Sequence, residues 1–496
     1  MRLELDRYYA EGCVLQRGAP VTVRGRAVPG ARVRVELPGG AGEAVADAAG
    51  SWEAVAGPPA AGGPHTLRVS CGAERLEIGD VWVGDVWVCL GQSNMAFTLA
   101  PVPPWTEGVP DHAAEIASAG DPLIRFLPLA RHAFPEPMEQ VGGRWVGCVA
   151  GRTGPISAVA YHMARRLREL EDVPVGMIIA AVGSTGISSW ISEAAGRRWP
   201  DVAERLAERD RLLAKHHGRM EAHRAEIEEY REAFARAVAR GELPPNEGPA
   251  LHDGQLFAPG GCHNALVAPL MRHPVAGWVW YQGESNVTRA DAYGERLKVL
   301  IGEYRERWGQ PRAPFIVVQL PGYEPAPAGE AGTGRTGATW AWLREQQRRV
   351  VMETPGTALV ATLDAGDARR IHPRNKRPVG RRCADAARAL QEGREPWLAP
   401  ARAERHGAGA VAIRFSRPLA PQDMIIKPGC AFELPDAAGG ATWADCAAVR
   451  DGRLVVAHPA AALSREIRYA FRNNPAPALF DRSGTPVTPF RLEIEP

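Results

Sequence analysis

Five apolar runs, separated by longer stretches with helical periodicity, constrain this 496-residue chain more than any other feature. They are 81–90 (VWVGDVWVCL), 173–182 (VPVGMIIAAV), 275–281 (VAGWVWY), 313–320 (APFIVVQL) and 357–363 (TALVATL). Helical patterns lie between or after them at 156–170, 291–308, 340–353 and 379–391. Strands that are apolar on both faces and alternate with helices predict a parallel sheet covered on both sides. The length is too great for one ordinary core, so further domains are expected. Residues 1–78 supply one: "VTVRGRAVPGARVRVEL" alternates apolar and polar residues about a Pro-Gly turn, predicting an all-β domain. The α/β domain then spans 79–399, and 400–496 returns to short strands such as "AVAIRFSRPL" and "RLVVAH". Within the α/β domain, 200–245 is rich in Arg, Glu and Ala and predicts a helical insertion whose charge run is a solvated face.

In an open parallel sheet, ligands bind beyond the carboxyl ends of the strands. Those positions here read Gly91-Gln92-Ser93-Asn94, "GSTGISSW" at 183–190, "QGESN" from Gln282 to Asn286, Pro321-Gly322-Tyr323, and "DAGDARRIHPRNK" from Asp364 to Lys376. A serine, a histidine and several carboxylates therefore converge on one edge. Acyl transfer needs such a set. A serine hydroxyl is a weak nucleophile until a histidine takes its proton, and an acid or carbonyl fixes the imidazole tautomer. Ser93 fits the nucleophile and His372, after the last strand, fits the base. An oxyanion would need donors already aimed at it: the Ser93 N–H, the Gly183 N–H, and the side-chain amides of Gln282 and Asn286 are available by position. His263, in "GGCHNALVAP", could line the cleft without acting as the base. The aromatic residues Trp190, Trp280, Tyr281 and Tyr323 also fall near these ends, where they could stack on a sugar or simply fill the core.

Composition excludes other classes. A formal net charge of +2, with acidic residues interspersed among the basic ones, gives no reason to expect nucleic acid or an anionic membrane. No apolar run approaches the roughly 20 residues that span a bilayer. The start, "MRLELDRYYAEG", lacks the basic segment and apolar core of a secretory signal, so a cytoplasmic chain is expected from the sequence as given, with a secreted or periplasmic one if a leader has been removed. Eight scattered cysteines without a C-x-x-C pair point to small buried hydrophobes rather than to zinc or a disulfide framework. "GTGRTG" at 332–337 matches G-x-G-x-x-G but follows no strand, and Asn286-Val287-Thr288 matches a glycosylation sequon inside the expected site. No G-x-S-x-G elbow surrounds Ser93, because Met95 stands where the second glycine would.

The blocks "LGQSNM", "GSTGISSW", "WYQGESN" and "IHPRNK..VGRR", in that order, resemble the sialate O-acetylesterase family, within the SGNH hydrolases. So do the flanks "VLQRGAPVTVRGRAVPGARVRV", "FIVVQLPGY", "LREQQ" and "PVTPFRLEI". The resemblance implies a flavodoxin-like three-layer αβα catalytic domain with a parallel sheet, and β-sandwich accessory regions at both termini. It implies metal- and cofactor-independent deacetylation of an O-acetylated carbohydrate, as in a sialate 9-O-acetylesterase. An acetylxylan esterase-type activity, or a non-catalytic carbohydrate-binding role on the same scaffold, are the alternatives. Ser93 and His372 carry over as nucleophile and base, and Ser93, Gly183 and Gln282 as the oxyanion hole. Gln92, Asn94, Glu284, Asn286, Trp190 and Tyr323 are the expected substrate contacts. Two departures stand out. The family's Gly-Gly-Thr is Gly183-Ser184-Thr185 here, and the aspartate common two or three residues before the histidine is replaced by Arg369 and Arg370. The orienting acid is therefore Asp367, in the loop of His372, or else Asp364 or Glu284, or a backbone carbonyl.

Overall fold

A computed structural model describes residues 2–57, 59–252, 254–324, 339–436 and 440–496. The G-x-G-x-x-G match at 332–337 lies outside them. The chain divides into two units, one formed by Met1–Gln282 and Val299–Phe315, the other by Gly283–Lys298 and Ile316–Pro496.

The first unit begins with antiparallel strands, as the alternating pattern predicts. Glu4–Leu5, Val21–Arg26 and Ser51–Ala56 form a three-stranded sheet. Arg32–Leu37 lies between Gly40–Val45 and Gly62–Cys71, with Val33, Val35 and Leu37 buried and the charged residues between them exposed. The next strand, Glu74–Gly91, is 18 residues long and passes through position 78 without a break. Its first half pairs antiparallel with Gly62–Cys71. Its second half is buried from Val81 onward, and there Val175–Ala181 and Gly277–Tyr281 flank it in parallel. Asp121–Pro128 adds a further parallel strand beyond Val175–Ala181, and Val146–Cys148 closes that edge antiparallel. Neither of these two strands is evident in the sequence pattern.

Helix Ala158–Leu170 follows these strands and starts on Ser157, whose hydroxyl accepts from the Ala160 N–H at 3.3 Å. The insertion is a helical pair, Pro200–Lys215 and Met220–Arg240. Proline at the first position opens the pair, and Gly241 at φ 77° ends it, where a Cβ would come within 2.7 Å of Arg152 Cα. Its outward face is charged as expected, but Val202, Leu206, Ile227, Tyr230 and Phe234 are buried, so it is packed along one side rather than merely appended.

In the second unit, helices Thr339–Glu353 and Arg377–Gln391 accompany strand Thr357–Val360. An eight-stranded sheet occupies the C-terminal region and includes Pro400–Arg405, Ala410–Phe415, Arg453–Ala457 and Phe490–Glu495. Val411, Ile413, Phe432, Leu454, Ile467 and Phe490 form its core. Arg344 ties this unit together. It is fully buried, and burial pushes its guanidinium down to about 9. Its nitrogens donate to the carbonyls of Leu320 at 2.9 Å, Pro321 at 2.9 Å, Arg472 at 2.7 Å and Asn473. The planar five-donor fork can reach this many acceptors at once, whereas an ammonium cannot. Each orphaned buried carbonyl costs about 1–3 kcal/mol. Arg344→Met is therefore expected to destabilise the protein by at least about 3 kcal/mol in urea denaturation, with Arg344→Lys recovering little of it; a loss under about 1 kcal/mol would remove this clamp from the account.

Candidate active site

Sequence places Ser93 at the end of the longest buried strand, and the backbone there is tightly constrained. Gly91 has φ 142°, and a Cβ on it would lie 2.1 Å from the Tyr281 carbonyl of the neighbouring parallel strand. Only glycine fits that approach. The Gly91 carbonyl accepts from Val182 N–H at 3.0 Å, and Gln92 N–H donates to Tyr281 O at 3.2 Å. The loops after three adjacent strands are thereby stitched together. Ser93 opens the short helix Ser93–Ala96, with Met95 and Ala96 N–H both donating to the Gln92 carbonyl at 2.9 Å. Ser93 is partly exposed, while Gln92 and Asn94 beside it are buried.

Gly183 stands next to Ser93: a Cβ built on it would be 3.8 Å from the Ser93 Cβ. The following residue, Ser184, is exposed and left-handed at φ 59°, a conformation in which glycine is the usual residue. Thr185 is enclosed; its hydroxyl donates to Val182 O at 2.7 Å and accepts from Trp190 Nε1 at 3.0 Å. Gln282, fully buried, donates through Nε2 to Thr185 O at 3.1 Å. Ser93, Gly183 and Gln282 are thus drawn together in one unit around the Gly183–Thr185 turn. Trp190 and Trp280 are fully buried, edge to face at 5.8 Å and 82°. A ring with no exposed face offers no surface to a sugar, so Trp190, expected as a substrate contact, is a packing residue here, as are Trp280 and Tyr281.

The second unit carries the other expected groups. Glu284 and Asn286 are buried in the turn Glu284–Arg289, which leaves the sequon asparagine enclosed. Tyr323 is half-buried, its ring 5.2 Å from Trp340. The loops after strands Phe315–Val318 and Thr357–Val360 are joined by Asp367 N–H to Gly322 O at 3.1 Å and Glu324 N–H to Ala368 O at 3.0 Å. This pairing holds the segment that carries His372. His372 is half-buried, and burial first, then the charge of Lys376, pushes its imidazole down to about 4. Lys376 is buried at 1% exposure and itself falls to about 7, burial outweighing the opposing pull of Glu284. Asp367 accepts from Arg369 N–H at 2.9 Å and from the Arg370 guanidinium at 3.1 Å, which hold its carboxyl below the usual range. Asp364 is gripped by both terminal nitrogens of Arg382, at 2.7 and 2.6 Å. Lys376 is the buried charge of this loop that the sequence does not reveal. It sits one turn after His372 in "HPRNK", but nothing in a sequence announces that a lysine is buried.

Comparisons with known proteins bear on this arrangement. Residues 263–389 match a family described as carbohydrate esterase, sialic acid-specific acetylesterase. The chain is similar to sialate O-acetylesterases. It is 27% identical to rat sialate O-acetylesterase over 369 residues, covering 69% of this chain and 64% of that protein. The human sialate O-acetylesterase is 26% identical over 416 residues, 78% of this chain and 70% of its own. The chain thus spans about two thirds of the length of these mammalian relatives. A crystal structure of a carbohydrate acetylesterase from Xanthomonas citri superimposes with a TM-score of 0.79 at 29% identity, covering 99% of both chains. Relative to the family's Gly-Gly-Thr block, Ser184 is an L-residue in left-handed backbone. Ser184→Gly relieves a strain of about 1–2 kcal/mol, offset in part by glycine's greater freedom when unfolded. The thermal midpoint of Ser184→Gly is expected to equal or exceed that of the parent, and a clear fall in calorimetry would contradict the strain.

Proposed function

We propose that the chain is a serine esterase that removes O-acetyl groups from a carbohydrate, with Ser93 as nucleophile and His372 as its general base. The reading that supports this best is the Ser93 turn itself: a partly exposed hydroxyl at a strand end, with the Gly183 backbone beside it. In this reading the α/β part is the SGNH-type three-layer domain and the terminal β regions are sandwich-like accessories.

Chemistry follows from the parts. Ser93 Oγ attacks the acetyl carbonyl as its proton passes to the His372 imidazole. Negative charge developing on the carbonyl oxygen is met by the N–H groups of Ser93 and Gly183, with the Gln282 amide bracing or completing the hole. Collapse expels the sugar hydroxyl, which takes the proton back from His372. Water, activated by the same imidazole, then releases acetate and restores Ser93. Gln92 and Asn94, both buried, hold the nucleophile turn rather than reach far into solvent. Asp367 acts as a positioning residue: its carboxylate caps the Arg369 N–H and so shapes the loop that presents His372. Asp367→Ala, which removes that acceptor, should accordingly cost about tenfold in kcat, far less than loss of the base.

Two outcomes test the proposal. Ser93→Ala and His372→Ala should each lower p-nitrophenyl acetate hydrolysis by about 10⁴-fold or more; retention of most activity in either removes that residue from the mechanism. The pH profile follows from the environment of His372. A base must be unprotonated, and an imidazole lowered to about 4 is unprotonated well below neutrality. The acidic limb of kcat/KM is therefore expected near pH 4, and Lys376→Met should move it upward by removing a repelling charge. A limb near 6.5 in the parent would contradict the assignment.

A further inference from the structure

In the first unit, a cleft of about 640 Å³ opens between the helical insertion and the segments around Ser192 and His263. That volume suits a small ligand. His263 begins a π-helical turn, His263–Val267, a rare geometry that recurs at functional sites. Its ring is 2% exposed, and its tautomer can be read from its neighbours. Asn264 Nδ2 donates to Pro135 O at 2.9 Å and approaches Glu193 Oε1 at 3.4 Å, so Asn264 Oδ1 is the acceptor. His263 Nδ1 lies 3.3 Å from that oxygen and must carry the proton. Nε2 is then a bare lone pair, and among the described residues it has no hydrogen-bond partner. Glu303 Oε1, 4.0 Å from it, is another acceptor. The site calls for a donor.

The surrounding charges define what kind. Arg209 is committed to Glu193, with one contact at 3.0 Å, and to Asp210 at 2.7 Å. Arg307 Nε is 3.1 Å from Glu303, whose other oxygen accepts from Ser192 N–H at 3.1 Å. The cleft's guanidinium groups are thus already matched by carboxylates, and a further anion would meet Glu193 and Asp210. Pro135, Leu213 and Met220 supply an apolar side. A sugar hydroxyl pressed into the wall beside His263 would supply the donor that the enclosed Nε2 lacks, a second hydroxyl can accept from a guanidinium, and the C–H face of the ring suits the apolar wall.

We propose that this cleft is a second binding site, selective for a neutral saccharide over an acidic one. The proposal does not depend on the role of Ser93, because it concerns binding without turnover. The test is calorimetric titration of the full chain with xylotetraose, maltotetraose and N-acetylneuraminic acid. At least one neutral oligosaccharide should bind, with a Kd at least tenfold lower than that of N-acetylneuraminic acid. Ala214→Trp, on the exposed face of the insertion, fills the cleft from its rim and should weaken that binding at least tenfold while leaving p-nitrophenyl acetate hydrolysis unchanged. His263→Leu should weaken it similarly, and if this core variant does not fold, Ala214→Trp carries the test. Absence of neutral-sugar binding, undiminished binding in Ala214→Trp, or equal binding of N-acetylneuraminic acid would each overturn the proposal.

Discussion

Backbone contact between Gly91 and Tyr281 sets the arrangement of the strand ends around Ser93 in the first unit. Because a Cβ at position 91 would come within 2.1 Å of the Tyr281 carbonyl, the two parallel strands can end side by side only with glycine there. The Gly91 carbonyl then takes the Val182 N–H, and the Gln92 N–H takes the Tyr281 carbonyl. Three strand ends become one rigid edge, with Ser93 opening a helical turn on it and Gly183 alongside. For the proposed nucleophile, a place on strand-anchored backbone rather than on a free loop reduces the entropy still to be lost when substrate binds.

In the second unit, electrostatics rather than strand geometry is the decisive feature. His372 shares its surroundings with Lys376, a cation taken almost wholly out of water. Burial disfavours the charged forms of both, and the Lys376 charge further disfavours the imidazolium of His372. Glu284 offsets this for Lys376. The outcome is an imidazole that stays neutral far below pH 7, suited to accepting a proton. The carboxylates of the same segment, Asp367 and Asp364, are each held by arginines, so ion pairs shape the loop that carries His372.

Much of this was legible in the sequence, and the exceptions have physical causes. The five apolar runs all became strands, because burial on both faces leaves no polar alternation to confuse the pattern. Asp121–Pro128 escaped notice: "DPLIRFLP" places proline near each end and arginine in its middle, which reads as a loop although the strand is an internal member of the sheet. The strand Glu74–Gly91 runs through residue 78 without a break and changes partners farther on, from antiparallel Gly62–Cys71, paired as far as Val83, to parallel Val175–Ala181, paired from Asp85. Trp190 looked suited to a sugar because its position in a motif says nothing of which way the ring points. The tautomer of His263 and the burial of Lys376 depend on residues distant in sequence, and no local pattern encodes them.

The central claim is that Ser93 is made nucleophilic by His372. Covalent trapping measures this most directly. Incubation with diethyl p-nitrophenyl phosphate, followed by peptide mass spectrometry, should give a single diethylphosphoryl adduct on the peptide containing Ser93, formed much more slowly in His372→Ala. An adduct on another residue, or an equal rate of labelling in the two proteins, would contradict the account.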